Sequence, residues 1–196
     1  MSELSVGQLK GLTVNSNTIT IPSGHKLYAP GSVVQVKTVR TEARTTYSSA
    51  TSGNGTTVTD LNLTITPKFS NSLLMMQWMI NGEFHHDNVF LIHKGGTLIT
   101  TSGETGYNSV TGNSRWSGFM PSTYDTDQAS TPQNRFMQYF CNAGSTTEAT
   151  FAPAVRSAGG TAYTFYLNRT QNSAGQDDYE VSVSTGVIWE IAQWEV

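Results

Sequence analysis

Hydrophobic residues in this 196-residue chain recur mostly at every second position, the spacing of strands with one buried face. The clearest case is TTVTDLNLTITP, residues 56–67, where Leu61, Leu63 and Ile65 alternate with polar residues. SVVQVKTVR, residues 32–40, alternates well enough to predict a second strand. Such patterns are typical of antiparallel sheets that keep one face in water.

One stretch departs from this alternation. NSLLMMQWMI, residues 71–80, is apolar from Leu73 to Ile80 except at Gln77. It is too short for a membrane helix, which needs about 20 apolar residues, and Asn81-Gly82 after it predicts a turn. We therefore predict a strand buried on both faces. One face would meet its own sheet pair, and the other a covering loop, a second layer or, as we favour in part, another subunit.

The rest of the chain adds further short strands. NVFLIHKGGTLIT, residues 88–100, predicts two strands joined by a KGG turn. NRFMQYFC, TEATFAPAV, TAYTFYLNR and DYEVSVSTGVIWEIAQWEV predict four or five more, and in the last of these Val187, Trp189 and Ile191 share a face opposite Glu190. About eight to ten strands without a convincing helix predict an all-β fold, an antiparallel β-sandwich or jelly roll.

The chain divides into an extended N-terminal arm, residues 1–31, and a β-sandwich body, residues 32–196. Proline and glycine interrupt the arm, which marks turns rather than a packed element. Within the body, residues 101–134 read as a long loop, and loops of this length are usually functional or disordered. Its aromatic residues are our candidates for surface contact, namely Tyr107, Trp116, Phe119 and Tyr124. Alternatively, Trp116 and Phe119 close one end of the sandwich.

Charge and cysteine content narrow the function classes. The formal net charge is −3 and only 13% of the residues are charged, which argues against a nucleic-acid partner. Cys141 is the only cysteine, so an internal disulfide is excluded, and we expect it to be a small buried apolar residue. The N-terminus has no signal-peptide pattern. We expect synthesis in a cytosol without export by a standard signal, and no membrane insertion.

Residues with catalytic or metal-binding chemistry do not form a recognisable constellation. His85, His86 and His93 are interpreted as polar strand-end histidines, although a symmetric oligomer could gather three copies of one of them on its axis. YDTDQ lacks the glycine and the terminal glutamate of a calcium loop. The acids of GQDDYE could pair for glycoside hydrolysis, but adjacent acids on a turn are interpreted as solvated charge. We therefore expect no cofactor, no metal and no enzymatic activity.

Several segments resemble a group of phage proteins. LTVNSNTITIPSGHKLYAPGSVVQV resembles the start of tail-fibre and other virion structural proteins of marine phages, especially those that infect cyanobacteria. LNLTITPKFSNSLLMMQWMING is similar to their pair of hydrophobic strands around a Ser-rich turn. FLIHKGGTLI resembles their glycine-glycine hairpin, with His93-Lys94 where arginine is more usual, and TAYTFYLNR and STGVIWEIAQ resemble their closing strands.

The resemblance implies a β-rich, commonly trimeric protein on the outside of a phage particle. Our first interpretation is a homotrimeric, tail-fibre-like host-attachment protein on the virion surface. Its arm would dock to other virion proteins and its loops would contact a host cell-surface glycan or protein. The alternatives are a trimeric capsid decoration, or cement, protein and a tail-associated polysaccharide-cleaving enzyme.

Overall fold

The computed structural model describes residues 23, 29–51, 54–85, 87–99, 120–121, 130–157, 161–173 and 180–193. They form an all-β, antiparallel β-sandwich, which confirms the predicted fold class. The described residues form twelve strands rather than the eight to ten expected, and these are numbered here in chain order. Most of the predicted arm lies outside these ranges, so the division into arm and body stays a prediction.

Each of the two sheets contains six strands. Sheet I consists of β1 (Val33–Thr41), β2 (Thr46–Ser48), β5 (Leu73–Phe84), β9 (Gln133–Asn142), β11 (Thr164–Leu167) and β12 (Ser184–Ile191). Sheet II consists of β3 (Thr56–Thr57), β4 (Leu63–Ile65), β6 (Asn88–Lys94), β7 (Thr97–Leu98), β8 (Met120–Pro121) and β10 (Ala149–Ser157). In sheet I, β5 pairs with β9 on one side and with β12 and then β11 on the other.

The hydrophobic core lies between the two sheets. Phe84 of β5 packs edge-on against Phe90 of β6, with 5.3 Å between the ring centroids. Phe165 of β11 stacks on Phe84 at 5.1 Å. Trp78 is completely buried, and its indole N–H donates a hydrogen bond of 3.0 Å to the carbonyl oxygen of Leu61. Aromatic side chains from both sheets therefore join them.

The strand predicted over residues 56–67 is interrupted. A 3-10 turn, Thr59–Leu61, separates β3 from β4. The predicted burial is nevertheless correct, because Leu61, Leu63 and Ile65 are all buried in the core. This turn is the one helical segment within the described ranges. Those ranges contain no helix long and apolar enough to cross a membrane.

The turn predicted at Asn81-Gly82 is wrong. Both residues lie inside β5, which continues to Phe84. The chain turns after that point, where the amide of Asn88 donates a hydrogen bond of 2.8 Å to the carbonyl oxygen of His85. Gly82 is needed for a close backbone approach instead, since a Cβ there would lie 2.0 Å from the carbonyl oxygen of Tyr166 in β11. The predicted KGG turn between β6 and β7 is confirmed, with positive φ angles at both of its glycines.

Candidate assembly surface

Strand β5 has one buried face and one partly exposed face. Leu74, Met76, Trp78 and Ile80 point into the core and are buried, whereas Met79 on the opposite face is 50% exposed. Burial of both faces, in part by another subunit, therefore stays a prediction, since only the inner face is fully covered by the described residues. Successive side chains of a strand point to opposite faces, so every second residue of β5 lies on the outer face. The described residues leave that face partly uncovered.

The outer face of sheet I carries an apolar ladder across four strands. Val36 of β1 pairs with Trp189 of β12, Trp189 with Met75 of β5, and Met75 with Phe140 of β9. Cross-strand neighbours of this kind lie about 4.5–5.5 Å apart at their Cβ atoms, so the four side chains form a continuous row. Val36 and Phe140 at its two ends are exposed, and Trp189 and Met75 are half-buried.

A second row adds to this surface. Met79 of β5 pairs with Phe136 of β9, which is 56% exposed, and Thr185 of β12 lies on the other side of Met79. Between the rows, Val187 forms part of the floor of a groove of about 380 Å³. We call the outward apolar side chains of these strands the apolar face: Val36, Met75, Met79, Phe136, Phe140, Val187 and Trp189.

The apolar face holds most of the exposed large hydrophobic side chains in the part of the chain that the structure describes. Among the described residues six large hydrophobic side chains are exposed, and four of them belong to this one face. Single exposed hydrophobic residues are normal, but contiguous groups mark interaction surfaces. Charge is confined to the margin, where the exposed Arg40 forms an ion pair of 2.6 Å with Glu42. The surface can therefore pack against another apolar surface without desolvating many charges.

A buried carboxylate on the inner side holds the β1 edge of this face in register. Glu190 lies opposite Val187, Trp189 and Ile191, as predicted, but its own side of β12 is the buried one. Its oxygens accept four hydrogen bonds, listed by donor with their lengths: the Gln35 side chain (2.6 Å), the Lys68 amide (2.7 Å), the Phe69 amide (3.1 Å) and the Ser72 hydroxyl (2.8 Å). Burial alone would raise the pKa of Glu190, and these hydrogen bonds together lower it.

The histidines considered for a metal site lie at strand ends where the structure describes them. His93 is 1% exposed and hydrogen-bonds through both ring nitrogens, Nδ1 to the Thr57 hydroxyl at 2.7 Å and Nε2 to the carbonyl oxygen of Asn54 at 2.6 Å. It lies one residue before the end of β6, as the strand-end interpretation has it, but it is buried and both nitrogens are already engaged. The ring of His85 stacks on Tyr163, with 3.3 Å between centroids. His86 lies outside the described residues.

The four aromatic candidates, Tyr107, Trp116, Phe119 and Tyr124, also lie outside the described residues. Sequence reasoning missed the exposed pair Phe136 and Phe140. The signal was present in NRFMQYFC, where apolar residues occupy both alternating sets, just as they do in LLMMQWMI. Two such strands are neighbours in sheet I, which brings their outward apolar residues together. Cys141 is buried, in line with its prediction.

Comparisons with known proteins give no family assignment. No family model and no curated protein sequence matches this chain. Among solved structures it is similar to the EclA C-terminal domain, a sugar-binding protein, with 12% identity, a TM-score of 0.30 and coverage of 91% of this chain and 99% of that one. It is also similar to infectious bursal disease virus Gx strain, with 13% identity, a TM-score of 0.39 and coverage of 90% of this chain and 42% of that one.

The chain is also similar in structure to the VP2 subviral particle of infectious bursal disease virus, with 15% identity, a TM-score of 0.38 and coverage of 90% of this chain. This chain spans only 43% of that protein. TM-scores this low carry no argument about what the chain does, so its function has to be inferred from its own residues.

Proposed function

We propose that this chain is a virion structural protein, a homotrimeric, tail-fibre-like host-attachment protein of a phage. The observation that carries the proposal is the apolar face of sheet I. An apolar row across four strands, which the described residues cover only in part, suits a subunit that buries this row against copies of itself. Closed symmetric assemblies cover such surfaces without leaving a free end at which further copies would add.

The occupant we propose for the apolar face is a second copy of the chain. The small net charge of −3 gives little mutual repulsion between copies. The groove beside Val187 is lined by the exposed apolar side chains Met79 and Phe136, which a second copy of the same face can cover.

The proposed position at the phage tail is supported separately from self-assembly and is tested separately. The sequence resemblance to tail-fibre and other phage virion proteins supports display on the outside of a particle. The test is the location and copy number of the chain in purified particles, by immunogold electron microscopy and quantitative mass spectrometry. A few trimers at the tail agree with the proposal.

Other results of this experiment contradict it. Hundreds of copies on the capsid would identify a decoration protein instead. Absence from the particle would remove the virion role altogether. Loss of viscosity when the protein is incubated with a host polysaccharide would favour the polysaccharide-cleaving alternative.

A further inference from the structure

The chain contains two Asn-Gly dipeptides, Asn54-Gly55 and Asn81-Gly82, which the fold places in opposite environments. Asparagine is a thermolabile residue because its side-chain amide can be lost by deamidation. A following glycine favours this reaction, since glycine has no side chain to hinder its own backbone nitrogen and is conformationally free. In a folded chain the reaction also needs an accessible side chain and a backbone that can bend towards it.

Asn54-Gly55 meets both conditions. Asn54 is exposed in the turn before β3, and its side-chain amide forms no hydrogen bond within the part of the chain that the structure describes. Gly55 has a φ of +81°, and a Cβ there would lie 2.9 Å from the carbonyl oxygen of Val155 and 3.1 Å from a side-chain methyl of Leu91. The fold therefore requires the glycine that makes Asn54 reactive.

Asn81-Gly82 meets neither condition. Both residues lie inside β5, where they pair with Asn134 and Gln133 of β9. The side-chain amide of Asn81 donates a hydrogen bond of 2.6 Å to the carbonyl oxygen of Val183. The ladder keeps the backbone extended and the side chain is fixed, so this pair can react only after β5 opens locally.

We propose that Asn54 is a site of spontaneous deamidation and that the fold directs the reaction towards isoaspartate. The Gly55 nitrogen gives up its proton to hydroxide and bonds to Cγ of Asn54. The bond between Cγ and Nδ2 then breaks, and the nitrogen takes a proton from water and leaves as ammonia. One water molecule opens the resulting succinimide by breaking one of its two ring C–N bonds. The net change exchanges ammonia for water, and nothing is oxidised or reduced.

His93 selects the ring bond that breaks. Its Nε2 lies 2.6 Å from the main-chain carbonyl oxygen of Asn54, and a carbonyl oxygen only accepts, so Nε2 carries the proton. Its Nδ1 accepts from the Thr57 hydroxyl at 2.7 Å, which holds the ring in place. A fixed donor at a carbonyl oxygen stabilises the negative charge that develops there when water attacks. Attack at this carbon frees the main-chain carboxylate and leaves Gly55 bonded to Cγ, which is isoaspartate.

The product changes the segment that leads into β3. It carries one more negative charge than the original chain, and its backbone is one carbon longer at residue 54. Both changes fall at the oxygen through which His93 of β6 anchors this turn. The proposal does not depend on the assembly or on the virion role, because it concerns a reaction of the single chain with water.

The test follows the two dipeptides in one sample of the full chain, kept folded in mildly alkaline buffer. Trypsin cleaves after Arg44, Lys68 and Lys94, so Asn54 and Asn81 fall in separate peptides, residues 45–68 and 69–94. Tandem mass spectrometry with electron-transfer fragmentation locates each conversion and distinguishes isoaspartate from aspartate. A parallel sample unfolded in urea gives the rates and the product ratio without the fold.

In the folded chain Asn54 should react at least about tenfold faster than Asn81, because opening β5 is unfavourable. The two rates should converge in urea. Asn62, which is exposed in the same tryptic peptide as Asn54 but is followed by Leu63, is the matched control and should stay intact. Equal rates at Asn54 and Asn81 in the folded chain would overturn the proposed site.

The product ratio tests the part of His93. The share of isoaspartate at Asn54 should be higher in the folded chain than in urea, where no donor is held at the carbonyl oxygen. In His93→Asn, whose shorter side chain does not reach that oxygen, the share should fall towards the value in urea. An equal share in the folded and unfolded wild type would show that His93 does not direct the reaction.

Discussion

Gly186 of β12 lies directly opposite Trp78 of β5, and a Cβ at Gly186 would come within 2.6 Å of the indole Cδ1. No side chain larger than hydrogen fits between the two strands at this point. The indole occupies the space and reaches the carbonyl oxygen of Leu61 in the 3-10 turn. Gly186 therefore makes room for the indole, whose hydrogen bond to Leu61 joins the centre of sheet I to the segment between β3 and β4.

Gly186→Ala should accordingly destabilise the fold by about 1–3 kcal/mol, the usual range for overpacking a tight core. The measurement is the free energy of unfolding from urea denaturation. Thr185→Val, at the exposed neighbouring position of the same strand, is the control and should change stability by no more than about 0.5 kcal/mol. Equal stability of Gly186→Ala and the wild type would show that the indole does not need this space.

Glu190 should make stability depend on pH in the acidic range. Its folded-state pKa is lowered from the ordinary 4.5, so its contribution is fully present above about pH 4.5 and is lost as the pH falls through the folded-state pKa. Glu190→Gln should cost about 1–3 kcal/mol at neutral pH, because a neutral amide cannot accept all four hydrogen bonds. The difference between variant and wild type, measured by urea unfolding, should shrink towards pH 3. A constant difference would contradict this role.

His93 should act in a separate, higher pH window. Burial lowers its pKa from the ordinary 6.5, while the hydrogen bond to the Asn54 carbonyl opposes the shift. The unfolded chain therefore takes up a proton first, and stability falls as the pH drops from about 6.5 through the lower folded-state pKa. His93→Asn, which does not titrate, should lose about 1–3 kcal/mol at pH 7.5 and less at pH 5. An unchanged gap at the two pH values would argue against a buried neutral imidazole.

Residues before the first strand should be dispensable for folding. The Gly31 amide donates to the Ala192 carbonyl oxygen at 2.8 Å, and the Ala192 amide donates to the Ser32 carbonyl oxygen at 2.9 Å, so backbone pairing with the end of β12 begins at Gly31. Deleting residues 1–28 should leave the midpoint of thermal unfolding unchanged and abolish incorporation into particles. Normal incorporation of the shortened chain would show that the arm is not the attachment segment.

The period-two pattern predicted the inner core well, because alternation decides which residues share a face of a strand. It placed Leu61, Leu63 and Ile65 together, and all three are buried. It could not decide which face of a strand meets the other sheet when both faces are plausible. In β12 the buried side is that of Glu190, because four donors from elsewhere in the chain satisfy the carboxylate. Those donors are far from Glu190 in the sequence, and only the tertiary structure brings them to it.

For the same reason, the sequence predicted only part of the apolar face. The doubly apolar strand around Trp78 indicated a surface that needs a cover, and the partly exposed Met79 agrees with that need. Its extent depends on pairing between β5 and β9, segments about 60 residues apart, which places Phe136 beside Met79. Likewise, the Gly82 turn was mispredicted because the approach of the Tyr166 backbone is a long-range contact.

The most direct test of self-assembly through the apolar face is the mass of the purified full chain by native mass spectrometry. We predict a wild-type mass of three 21.3 kDa chains and a monomeric Phe136→Asp variant, because burying an unpaired charge in the interface costs several kcal/mol. Thr147→Asp, which adds the same charge in the exposed turn between β9 and β10, should remain trimeric. A monomeric wild type, or a Phe136→Asp variant that still forms the trimer, would contradict the account.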